Sequence, residues 1–160
     1  MPRNGFTLVE LLVTLAIAAI LAALATPGLQ RLRARAAVVA AANQTLSGLH
    51  LARRLALATG RTTTLCPTID GLRCSFDGHG WMLFANGTSG SDARREPGEP
   101  LIRAWPLPTG IVLGGTRGYA AYLPQPRAST TLTFSFSNSR FPELVRRVVV
   151  SQTGRPRIDP

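Results

Sequence analysis

Five arginines, Arg140, Arg146, Arg147, Arg155 and Arg157, crowd the C-terminal end of the chain and face only Glu143 and Asp159 as nearby acids. A guanidinium holds phosphate bidentately and stacks on bases, and each neutralised phosphate releases condensed counterions. Such a cluster therefore suits salt-sensitive, sequence-independent capture of nucleic acid. Gly154 and Pro156 favour a turn that projects Arg155 and Arg157 to the same side. The competing reading is a solvated rim, because every basic residue of the chain is arginine and codon bias alone can produce that. A formal charge of +10 over 160 residues, with a pI near 11.6, still points toward a polyanion, either nucleic acid or anionic lipid. Length excludes a large multidomain enzyme, and 45% hydrophobic residues exclude disorder throughout.

Glu10 poses a second chemical question. It is the one charge in the apolar run from Phe6 to Thr26, about 20 residues that match the roughly 30 Å hydrocarbon core as a helix. Arg3 precedes the run on the side that the positive-inside tendency keeps in the cytoplasm, which leaves the remainder outside. An ionised carboxylate in such a segment costs a few kcal/mol and calls for a cation. Removal of Met1 to Gly5 would create one, an amino terminus at Phe6, four residues from Glu10. The alternative is that Glu10 snorkels to an interface from near the helix end.

Elements that could carry these groups follow from periodicity. Pro27 removes an amide donor and should bend or loosen a helix running through it. Beyond it Val38, Ala42, Thr45, Leu49, Ala52 and Ala56 recur at three- and four-residue steps, one buried stripe of a helix ending near Thr59 before Gly60. Strand-like runs follow at Thr62 to Cys66, Trp81 to Ala85, Leu101 to Trp105, Ile111 to Leu113, Thr130 to Phe136 and Arg147 to Ser151. Alternation in the fifth puts Leu132, Phe134 and Phe136 on one face, which the helix stripe would cover. Gly87 to Gly98, with Arg94 and Arg95, reads as an exposed loop. Arg31, Arg33 and Arg35, just past the apolar run, read as contacts to lipid headgroups or neighbouring subunits.

Cys66 and Cys74 are the only cysteines. In an oxidising compartment they would form a disulfide closing a small loop, worth about 2 to 3 kcal/mol. Two thiols and a distant His79 fall short of a four-ligand zinc site, so neither metal nor cofactor is expected. His50 reads as a surface helix residue and His79 as a loop residue. No nucleophile, base and orienting group can be assembled, so the expectation is a protein that binds or builds and not an enzyme.

Gly5-Phe6-Thr7-Leu8-Val9-Glu10-Leu11-Leu12, followed by Thr14, Ala16, Ile17 and Pro27, resembles the processing and assembly signal of type IV pilins and type II secretion pseudopilins. The resemblance implies cleavage after Gly5 by a prepilin peptidase, methylation of the new amine on Phe6, and neutralisation of a neighbouring subunit's amine by Glu10. Cys66-Pro67, Asp70-Gly71, Cys74, the Gly80 to Phe84 run and the stretch from Val148 to Arg157 resemble the GspH/FimT family of minor pilins and pseudopilins. From Pro97 to Glu143 the likeness is limited to strand character, and the chain lacks the further cysteines that FimT-like members commonly carry. The implied fold is α+β and type IV pilin-like, a long N-terminal helix, its first half transmembrane, packed on small antiparallel β-sheets. The implied organisation is a leader at 1–5, a transmembrane and assembly helix at 6–27, and a periplasmic globular domain at 28–160. Such a chain would sit in the inner membrane as a single-pass protein and then in an extracellular pilus.

In FimT-like minor pilins a C-terminal Gly-Arg-x-Arg motif is associated with DNA capture in natural transformation, and Gly154-Arg155-Pro156-Arg157 fits it. The expectation is a minor pilin that binds DNA through Arg155 and Arg157, helped by Arg146, Arg147 and Arg140, alongside other pilin or pseudopilin subunits. The alternative is a GspH-like minor pseudopilin of a type II secretion system with a purely structural role.

Overall fold

The structure, a computed structural model, describes residues 7–87, 93–124 and 131–159. Helix α1 (Leu8–Thr59) starts at the N-cap Thr7 and stops at Gly60, whose φ of 66° is the left-handed conformation that ends a helix without a Cβ penalty. Two different sequences make up this helix. Its N-terminal part is apolar on every side and exposed on every side, with a mean hydropathy of 2.6 over its most apolar window, and it is long enough to cross a membrane. From Ala34 onward burial narrows to a stripe of small and branched residues, Ala34, Val38, Ala41, Ala42, Thr45, Gly48, Leu49, Ala52 and Ala56, which contains every position the periodicity predicts. Pro27 does not interrupt α1. A proline removes a single amide donor, the one that would reach the Ala23 carbonyl, and the bonds on either side keep the helix continuous.

Eight strands follow among the described residues. Sheet I has the order β3-β2-β1-β5, built from β1 (Thr63–Thr68), β2 (Gly80–Ala85), β3 (Leu101–Pro106) and β5 (Ala120–Tyr122). Sheet II has the order β4-β6-β7-β8, built from β4 (Ile111–Gly115), β6 (Leu132–Asn138), β7 (Val145–Val150) and β8 (Pro156–Asp159). All pairs are antiparallel. Six strands lie close to the predicted runs, although Thr130, the expected start of β6, falls outside the described residues. Two escape the periodicity. β5 is three small or aromatic residues long, and β8 begins with a proline, which is tolerated because an edge strand can spare that donor.

The core lies under α1, where the two sheets meet. Leu132, Phe134 and Phe136 of β6 are buried as their alternation predicts. Trp81 of β2 joins the sheets, its ring 5.0 Å from Phe134 and 6.2 Å from Phe136 across the boundary and 6.3 Å from Trp105 within its own sheet. Gly48 lets Trp105 press into the helix, since a Cβ there would come within 2.7 Å of the indole. The Thr63 hydroxyl donates to the Ala52 carbonyl at 2.7 Å and ties sheet I to the far part of the stripe, while Leu144 and Ile158 pack against the core from the sheet II side.

Candidate nucleic-acid interface and assembly end

The β7–β8 hairpin decides where the C-terminal arginines go. Gly154 N–H donates to the Ser151 carbonyl at 2.8 Å, closing a turn over Ser151 to Gly154, and Gly154 itself has a φ of 71°. The chain then re-enters the ladder, with Ser151 N–H donating to the Arg155 carbonyl at 3.2 Å and Arg155 N–H to Ser151 Oγ at 3.3 Å. A turn followed by a left-handed glycine is the three-residue hairpin with a bulge. The turn thus precedes Arg155, and Pro156 is a buried strand residue opposite Val150 and not part of a turn. Arg155 and Arg157 do share a side, but strand alternation and not a turn puts them there. They alternate with Pro156 and Ile158 along β8, whose side chains join Val150 and Val148 on the core face.

The same parity sorts the other predicted residues. Arg147 stands on the outer face with Arg155 and Arg157, opposite Asp159 and diagonal to Arg157, a separation of about 7 to 8 Å in an antiparallel pair. Next to it on β6 the outer face carries only small hydroxylated side chains, Thr133, Ser135 and Ser137, with Ser135 directly across from Arg147. Gly114 on β4 keeps Ser135 clear, because a Cβ there would approach its hydroxyl to 3.1 Å. These hydroxyls share the candidate face with Arg147 and were missed by sequence reasoning, although the alternation in β6 could have placed them there. Arg146 points the other way. It faces the helix side, half-buried, and lines a cavity of about 310 Å³ with Val39, Ala42 and Ile158. Arg140 lies in the β6–β7 connection, at the end of sheet II opposite the hairpin, with its guanidinium 5.9 Å over the Phe141 ring and its N–H donating to Asn138 Oδ1 at 3.0 Å. Glu143 does not oppose the hairpin arginines, because it pairs with Arg31 of α1 at 3.2 Å.

At the other end of the molecule, Glu10 N–H donates to Thr7 Oγ1 at 3.3 Å, which places Glu10 at the third position of α1. Thr-x-x-Glu is a capping-box pattern, and a carboxylate in the first turn faces unpaired amide donors and the positive end of the helix dipole. The chain's own helix start therefore supplies part of the positive potential that Glu10 needs. Gly5 and Phe6, the expected processing site, lie outside the described residues.

Cys66 and Cys74 form the disulfide, with Cα atoms 5.5 Å apart. Inside its loop Asp70 accepts N–H bonds from Leu72 and Arg73, both at 2.8 Å, and these bonds hold its carboxyl below the usual 3.8. Just past the disulfide, Phe76 reaches Phe134, with ring centroids 6.3 Å apart. Arg95, expected in an exposed loop, is half-buried and donates to the Gly71 and Glu99 carbonyls, which fastens the disulfide loop from outside. Arg94 is exposed as expected, and residues 88–92 of that loop are outside the described ones. Burial pushes the Tyr122 phenol far above its ordinary range. Among the described residues no three His, Cys, Asp or Glu side chains gather as a metal site would require.

An exposed apolar half-helix with an acidic first turn, continued by a stripe that carries two small antiparallel sheets, defines the type IV pilin fold. Residues 41–154 match the family model described as Type II transport protein GspH, and residues 1–26 match the prokaryotic N-terminal methylation motif; the chain belongs to the GspH family. The structure is similar to the type IV minor pilin FimU of Pseudomonas aeruginosa, at 18% identity over 77% of this chain and 88% of that one, with a TM-score of 0.59. It is also similar to the minor pseudopilin EpsH from the Type 2 Secretion System of Vibrio cholerae, at 16% identity over 76% of this chain and 95% of that one, with a TM-score of 0.56. Among curated protein sequences none matches significantly. Arg155 and Arg157 lie beyond the matched range of the family model.

Proposed function

We propose that this chain is a minor type IV pilin that holds DNA on the outer face of sheet II and takes part in uptake during natural transformation. The observation that supports the reading most is strand parity: Arg147, Arg155 and Arg157 emerge on one exposed face beside the hydroxyls of Thr133, Ser135 and Ser137. Guanidinium groups take phosphate oxygens bidentately, small hydroxyls add neutral contacts to the same oxygens, and neither reads base sequence. Adhesion of this kind makes and breaks no covalent bond. DNA caught on the filament would move with it, driven by other proteins.

Before assembly the apolar half of α1 anchors the chain in the inner membrane with the sheets in the periplasm. A prepilin peptidase cuts after Gly5, the Phe6 amine is methylated, and Glu10 neutralises that amine on a neighbouring pilin subunit as the filament grows. Arg155→Gln with Arg157→Gln in the full chain should weaken retention of random-sequence duplex in a mobility shift. Unchanged retention would rule out this role for the hairpin.

A second reading has its own support, namely the family model's description and the likeness to EpsH. On that reading the chain is a GspH-like pseudopilin that contacts partner pseudopilins and has no affinity for DNA. Co-purification with secretion subunits, with no duplex bound at low salt, would favour it.

A further inference from the structure

We propose that the arginines the hairpin face does not use form an anionic-phospholipid binding edge, with Arg35, Arg140 and Arg146 seating the globular domain on the bilayer before assembly. The inference does not depend on DNA binding; it rests on the membrane anchoring of α1.

Three observations converge on this edge. First, the exposed ion pair between Arg31 and Glu143 places the β6–β7 connection beside the helix directly after its apolar segment. Arg31 and Arg35 follow Thr26 by about 7 and 13 Å of helix, and the headgroup layer adds about 5 to 8 Å beyond the hydrocarbon. Helical side chains lean toward the N-terminus, so these arginines reach back toward the lipid, and Leu29 and Leu32, both exposed, continue the apolar surface between them.

Second, Arg35 and Arg146 line one cavity of about 180 Å³ together with Val38, Val39, Leu144 and Glu143, the last of these being the carboxylate that Arg31 pairs with. Val39 and Arg146 also line the neighbouring 310 Å³ cavity, whose other walls are Ala42 and Ile158. Two arginines lining a groove whose other walls are mostly aliphatic match a phosphate ester carrying a hydrocarbon tail. Third, charge is one-sided here: among the described residues lining the groove Glu143 is the one carboxylate, and it is paired with Arg31. Arg140 extends the same edge, its guanidinium over Phe141, an arrangement with one wet and one apolar side suited to an interface. Duplex DNA fits this edge poorly, because Arg146 is recessed between strand and helix whereas Arg155 and Arg157 stand out from the sheet.

The test uses the full chain in nanodiscs of phosphatidylcholine, with or without phosphatidylglycerol, carrying a headgroup quencher. A fluorophore is placed at Ser139→Cys on the proposed edge or at Gln152→Cys on the hairpin. Quenching at 139 should appear with phosphatidylglycerol, disappear at high salt, and exceed that at 152. Each of R35Q, R140Q and R146Q should lower the ratio of docked to undocked protein by about fivefold, the effect of one arginine near an anionic surface. R146K should restore most of the loss, which a merely structural role for Arg146 would not predict. Equal quenching in both disc types, or quenching that the triple variant leaves unchanged, would overturn the proposal. So would a triple variant that keeps its lipid contact and loses duplex affinity, since these residues would then belong to the nucleic-acid surface.

Discussion

On β7 two arginines are adjacent in sequence and lie on opposite faces of a sheet. Arg147 joins Arg155 and Arg157 over a floor of hydroxyls, whereas Arg146 turns inward beside Arg35 at the helix, near the end where α1 enters the membrane. Identical chemistry thus serves two surfaces, and the period of two along a strand decides which arginine goes where. A count of charges along the chain treats these residues as one cluster; the register divides it. Each group keeps one carboxylate in view, Asp159 across from Arg147 and Glu143 on Arg31. Both surfaces remain cationic; the outer one also carries Val145 and Val149 of β7, with Val149 opposite Arg157, and is open to solvent, whereas the inner one is recessed against α1.

The largest effect should come from Trp81→Ala, which would abolish the contrast by loosening the packing that holds both groups in place. Trp81 is buried to 1% exposure and bridges the two sheets, so its loss should cost about 3 to 5 kcal/mol in chemical denaturation. Replacing both Cys66 and Cys74 with serine should cost about 2 to 3 kcal/mol, equally visible as a shift in the urea midpoint. That change acts on sheet I and its loop, so DNA affinity below the transition should hold; a parallel loss of affinity would show that the hairpin depends on the disulfide loop.

Gly154→Ala puts a Cβ on a residue at φ 71°, at a cost of about 1 to 2 kcal/mol. It should disturb Arg155 and leave the Arg35 and Arg146 edge unchanged, so duplex affinity falls while lipid quenching persists. Smallest is a pH effect confined to the disulfide loop. Asp70 has a folded-state value depressed below 3.8, so its contribution is complete above that value and fades as pH falls through the lower, folded one. Asp70→Asn should remove that part of the acid sensitivity in a pH series of thermal melts, lowering the melting temperature slightly near neutrality and leaving it at the wild-type value at low pH, where Asp70 is protonated anyway.

Much of the frame is legible in the amino-acid order. The stripe on α1 and the alternation in β6 follow from burial on one face, and a 3.6- or 2-residue period records that directly. β8 is not legible, because Pro156 reads as a turn residue until its partner Val150 is known and its missing donor is seen to point off the sheet edge. The separation of Arg146 from Arg147 is hidden for a related reason: the predicted strand begins at Arg147, two residues after the real start at Val145, and leaves Arg146 in a connection with no assigned face. The capping relation between Thr7 and Glu10 is present in the letters, yet a charge in an apolar run points first to a cation on another chain and only second to the amides of its own helix.

The division between the two arginine surfaces is tested most directly by the salt dependence of duplex binding to the full chain. Plotted as log affinity against log salt, Arg155→Gln with Arg157→Gln should flatten the slope by about one for each phosphate left without its guanidinium, while Arg35→Gln with Arg146→Gln leaves it at the wild-type value. Equal flattening by both pairs, or by neither, would contradict the division.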